Sequence, residues 1–101
     1  MHKPSNWDEY LDLVHQAVDE IDEMRARIDE DAGDEDAELY AQFIEPLDAF
    51  LRELFEDMIS GRYQFPSDTD LPYMAVVKRF GRAIPFRLLL ETINLTHRSG
   101  L

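Results

Sequence analysis

Residues 7–28, Trp-Asp-Glu-Tyr-Leu-Asp-Leu-Val-His-Gln-Ala-Val-Asp-Glu-Ile-Asp-Glu-Met-Arg-Ala-Arg-Ile, decide the fold. Trp7, Val14, Ile21 and Ile28 recur every seven residues, with Tyr10, Leu11, Ala17, Val18 and Met24 between them. That period winds one apolar stripe along a helix and leaves the other side to carboxylates, the pattern of a helix lying along a neighbour. Ser5 or Asn6 can cap its start, and Asp8 and Glu9 sit where the positive end of the helix dipole favours them. In a chain of 101 residues with more helices to follow, the seam reads as packing inside one bundle rather than as an extended coiled coil.

Outward from this helix, residues 29–36 are a run of acids around Gly33 with no apolar period, and read as a solvated turn. A second helix follows over residues 36–60, with Leu39, Tyr40, Phe43, Ile44, Leu47, Phe50, Leu51, Leu54, Phe55, Met58 and Ile59 on a broad apolar face and Gly61 as its stop. Pro46 interrupts it. Because Leu39, Phe43, Leu47, Phe50 and Leu54 keep one phase across the proline, the pattern favours a kinked continuous helix over two abutting ones. Residues 61–71 read as a loop from which Tyr63 and Phe65 fold back over the core. Pro72 then opens a short helix carrying Tyr73, Val76, Val77 and Phe80, ended by Gly81. Pro85 opens the last one, over residues 84–97, with residues 99–101 expected to fray. The expected architecture is all-α: a compact single-domain bundle of about four helices over residues 1–101, two long N-terminal ones, the second kinked near Pro46, and two shorter C-terminal ones.

The last helix is apolar on two sides. Phe86, Leu89, Leu90 and Ile93 form one face, and Ile84, Leu88 and Leu95 lie opposite. The packing reading favours a central position, sandwiched between the long pair and the short third helix. If one side is instead exposed, Ile84, Leu88 and Leu95 are the candidate apolar association surface.

Charge is unevenly spread. Residues 1–60 hold 19 of the 22 acidic residues and sum to −15, whereas residues 61–101 sum to +3. A formal charge of −12 argues against direct binding of nucleic acid or anionic membrane, both of which need a basic footprint. The basic residues gather at Lys78, Arg79, Arg82 and Arg87, the candidate anion or acidic-partner site. Pairing of these arginines with the acidic half of the same chain is the favoured reading; an acidic partner or second copy, or a small anion, are the others.

Groups for catalysis are sparse. There is no cysteine, no nucleophile elbow and no glycine-rich phosphate loop. Asp29 and Asp31 alternate as calcium ligands do, but Asp34 and Tyr40 stand where such a loop needs glycine and glutamate. Asp12 and His15 give a single helix-turn pair on a polar flank, and His2 and His97 belong to ends, so no metal or cofactor is expected. Only a deep pocket lined by Tyr63, Tyr73, Arg79 and Arg87 would speak for an enzyme.

Lacking an apolar leader core and any span of about 20 apolar residues, the chain is expected to be cytoplasmic. The functional expectation is a small acidic binding or adaptor protein that works through protein–protein contacts, docking its acidic hairpin on a basic partner and its last helix on apolar surface. Alternatives are a nucleic-acid mimic that fills a basic cleft, a homodimeric structural protein, and, least supported, a small-anion-binding protein or enzyme.

Overall fold

Asn6 starts the first helix: its side-chain oxygen accepts the Glu9 N–H at 2.9 Å, and the Glu9 carboxylate reaches back to the Ser5 N–H at 2.8 Å. Two donors that a helix start leaves open are thereby satisfied. The computed structural model describes residues 2–30, 33 and 35–101. Its helices are α1 (Trp7–Glu30), α2 (Glu35–Ser60), α3 (Met74–Phe80) and α4 (Arg87–Ser99), with a short 3-10 turn, Gly81–Ala83, before the last. The expected all-α arrangement of two long and two shorter helices is what the chain adopts. No helix among the described residues is long and apolar enough to cross a membrane.

α1 and α2 form an antiparallel hairpin. The residues that cross-link it fall in reverse order, Asp22 with Arg52 and Arg25 with Glu45 and Asp48. Between them lie Val14, Ala17, Ile21, Phe43, Leu47 and Leu51, all buried, so the seam read from the sevenfold spacing is the core. α2 runs unbroken through Pro46, which sits on its exposed side. Ile59, expected on the apolar face, is exposed near the helix end.

Gly61 stops α2 by taking φ +79°, a backbone conformation that side chains with a Cβ resist. The Gly61 and Arg62 N–H groups then close on the Met58 and Asp57 carbonyls, and the Arg62 guanidinium also pairs with the Asp57 carboxylate at 3.2 Å. The returning loop brings Tyr63 and Phe65 onto Trp7 and Tyr10, with ring centroids 5.3 to 6.2 Å apart. This bears out the expected fold-back.

Both proline-led helices begin later than expected. Pro72 and Pro85 occupy turns, and regular helix starts at Met74 and Arg87. The C-terminal residues do not fray as expected. α4 continues through Ser99, and the buried Gly100 donates its N–H to the Thr96 carbonyl and packs on Pro66.

α4 is not sandwiched. Its inner residues Leu89, Leu90 and Ile93 are buried against α1 and α3, while Leu88 and Leu95 are 58% and 55% exposed. Ile84 parts company with them: it lies before the helix, in the extended residue after the 3-10 turn, and is 3% exposed. α1, α3 and the loop after α2 together cover one side of α4 and leave the other open.

Candidate functional site

Two internal networks take up most of the polar groups that might have formed a site. The first lies on the hairpin. Arg25 donates to Glu45 at 2.6 Å and to Asp48 at 2.5 Å, and Arg52 bridges Asp48 and Asp22 at 2.7 and 2.6 Å. The adjacent carboxylates hold both guanidinium groups more firmly charged, and Arg25 in turn holds the Glu45 carboxyl below its ordinary value.

The second network fastens the loop after α2 to α4. The Tyr63 hydroxyl is 2.5 Å from the Tyr10 hydroxyl and 2.6 Å from His97 Nδ1. The Tyr63 hydroxyl thus links Tyr10 and His97 in one run of side-chain hydrogen bonds. Beside it Asn94 accepts the Leu71 N–H at 2.8 Å and donates to Asp70 at 3.0 Å, and Arg98 donates to the Asp68 carbonyl at 3.1 Å. The Asn94 amide, then Lys78 and Arg98, hold the Asp70 carboxyl below its ordinary range. Burial raises the Tyr10, Tyr63 and Tyr73 hydroxyls and lowers His97.

A cleft of about 390 Å³ adjoins this second network, lined by Glu53, Asp57, Arg62, Tyr63, Asp70 and His97 among others. Its chemistry is self-contained. Arg62 is held by Asp57, Asp70 by Asn94, Lys78 and Arg98, and His97 by Tyr63. No buried side-chain polar atom among the described residues lacks a partner. His97, bonded to Tyr63 and with its basicity lowered by burial, fastens the loop to α4. The histidine assigned from sequence to a chain end is thus a buried joint. His97 falls four residues after Ile93, on the inner stripe of α4, a spacing that could have marked it as buried.

Of the sequence-derived cations, none reaches the acidic hairpin. Lys78 pairs with Asp70 at 3.3 Å, Arg87 with Glu91 at 3.5 Å, and Arg79 lies over the Phe80 ring, 5.3 Å from its centroid. The favoured internal pairing is therefore corrected for the described residues: Asp22, Glu45 and Asp48 of the hairpin pair with Arg25 and Arg52, which it carries itself. Arg82 has no ion-pair partner among the described residues and is exposed. Among the described residues Lys78, Arg82 and Arg87 are absent from the groove that Arg79 lines, and Tyr73 is buried with its hydroxyl on the Leu90 carbonyl at 2.5 Å. Asp12 and His15 are exposed on α1, and no group of three or more His, Asp or Glu among the described residues is arranged to hold a metal ion. The calcium-like alternation rests partly on Asp31 and Asp34, which lie outside the described residues.

What remains open to a partner is the outer side of α4. Leu88 and Leu95 stand two turns apart on one stripe, and covering both would contribute roughly 2–3 kcal/mol. The N-terminal arm joins this stripe to the acidic hairpin. Lys3 donates to Ser99 at 2.6 Å and lines a cleft with Glu9 and Asp12 of α1. Comparison with family models, curated proteins and solved structures gives no match.

Proposed function

We propose that the chain is a small acidic binding or adaptor protein that recognises a protein partner through the outer side of α4, with the carboxylates of α1 steering a basic surface toward it. The observation that carries this reading is the exposure of Leu88 and Leu95 on a helix whose other side is completely buried. Apolar contact at the centre with charge at the rim is how protein interfaces divide affinity from orientation. The charge is available: Asp8, Asp12, Asp19 and Glu23 remain exposed after Arg25 and Arg52 have taken Asp22, Glu45 and Asp48. The reading includes action in the cytoplasm, with which a chain without cysteine is compatible.

Affinity capture with the wild-type chain and with a Leu88→Asp/Leu95→Asp variant tests it. Both substitutions lie on the surface, so the variant folds, as circular dichroism will verify. The wild type should retain one protein in stoichiometric amount, released as salt rises, and the variant should not. Equal capture by both chains, or none by either at low salt, refutes the proposal. A sedimenting dimer dissolved by the same substitutions would instead assign the stripe to a second copy.

A further inference from the structure

A groove of about 510 Å³ lies on another part of the molecule, between the middle of α2 and α3, lined by Gln42, Pro46, Ala75, Val76, Arg79 and Phe80. That volume falls within the ~300–1,000 Å³ of ordinary ligand clefts. We propose that this groove is a second docking site, for an acidic peptide segment that carries one large apolar side chain.

Charge supplies the first argument. In a chain with 22 acidic residues, Arg25, Arg52, Arg62, Arg87 and Arg98 all have a carboxylate partner, whereas Arg27, Arg79 and Arg82 have none among the described residues, and of these three Arg79 lines the groove. The Arg79 guanidinium carbon lies 5.3 Å from the centroid of the Phe80 ring at the groove, a cation–π contact that leaves its N–H groups available to a carboxylate. Arg82 follows three residues later, in the 3-10 turn after α3. The apolar floor is the second argument. Pro46, Ala75, Val76 and Phe80 offer a surface for one leucine- or phenylalanine-sized side chain next to that cation.

Pro46 contributes a third element. Lacking an N–H, it gives nothing to the Gln42 carbonyl, which an ordinary residue at that position of α2 would bond. Gln42 and Pro46 both line the groove, so a backbone acceptor short of its usual donor borders the site, and an extended segment has N–H groups to offer it.

The test uses the full chain, labelled with nitrogen-15, and a capped synthetic peptide of four glutamates flanking one phenylalanine. Saturable amide shifts at Gln42, Val76, Arg79 and Phe80 are expected. Arg79→Glu should weaken binding about tenfold or more, Arg79→Gln less, and a lysine version of the peptide should not bind. Arg79 is exposed, and unchanged amide positions elsewhere will show that the variants fold. Absence of saturable shifts, shifts unaffected by Arg79→Glu, or the same shifts from inorganic phosphate alone overturn the proposal. Because no residue is shared with the α4 stripe, failure here leaves the reading of Leu88 and Leu95 standing, and shifts centred on those leucines would count only for that other surface.

Discussion

The Tyr63 hydroxyl lies 2.6 Å from His97 Nδ1, joining the loop after α2 to the last turns of α4. Removing that hydroxyl leaves His97 Nδ1 without its partner and costs Tyr10 its nearer one, with the Ile93 carbonyl left at 3.5 Å. Tyr63→Phe should therefore lower stability by about 1–3 kcal/mol at unchanged helix content, read from urea denaturation. A loss under about 0.5 kcal/mol would show that the joint does not hold the loop.

The same joint sets an acid response. Burial pushes the His97 imidazole below its ordinary 6.5, against the pull of Asp70 and with the push of Arg98. The unfolded chain then binds the proton more readily, so the contribution is complete above about pH 6.5 and declines as pH falls from there to the folded value. Asp70 and Glu45, lowered by their partners, add losses only further down, as pH falls through and below about 4. Melting temperature should thus fall between pH 7 and pH 5, and His97→Gln should flatten that part of the curve. An equal slope in the variant would assign the response elsewhere.

Asp48 serves both hairpin arginines and is 13% exposed, whereas Asp22 serves one and is 57% exposed. Asp48→Ala should cost about 1–2 kcal/mol and Asp22→Ala no more than about 0.5, because exposed pairs are screened and a shared, shielded carboxylate is not. Denaturation of the two variants at low salt and at 1 M salt checks the order, with the Asp48→Ala cost expected to persist at high salt and the Asp22→Ala cost to vanish.

Pro46 stands inside α2, where an interior proline costs about 3 kcal/mol in a helix. Since proline also restricts the unfolded chain by about 0.4–1 kcal/mol, Pro46→Ala should stabilise the protein by about 2 kcal/mol. A variant no more stable than wild type would mean that the helix has adapted fully to the ring.

Much of this fold was legible because helix periodicity is a local property. The stripe from Tyr10 to Ile28, the Asn6 cap and the Gly61 stop each need only neighbouring residues, and each is found in place, whereas Trp7 at the head of the stripe is exposed. Pro46 was legible for a related reason, since Phe43 and Leu47 could share one core only if α2 continued through it. Side-chain partnerships across the bundle were not. Nothing in the sequence tells Arg25 to choose Glu45 and Asp48, and that choice removed the expected attraction between the hairpin and the basic junction. Ile84 failed as a surface residue because it was placed on a helical wheel although Pro85 delays the helix to Arg87. The two-sided apolar pattern of α4 did identify Leu88 and Leu95, but whether the second side was covered depended on how many neighbours the helix found.

The central claim is that the outer side of α4 is where a protein partner sits. A photo-crosslinking amino acid placed in turn at Leu88, Leu95 and Ile59, all exposed apolar positions, tests it in the source cell. The claim predicts one discrete heterologous adduct from positions 88 and 95 and none from position 59. No adduct from the α4 positions, or equal adducts from all three, would contradict it.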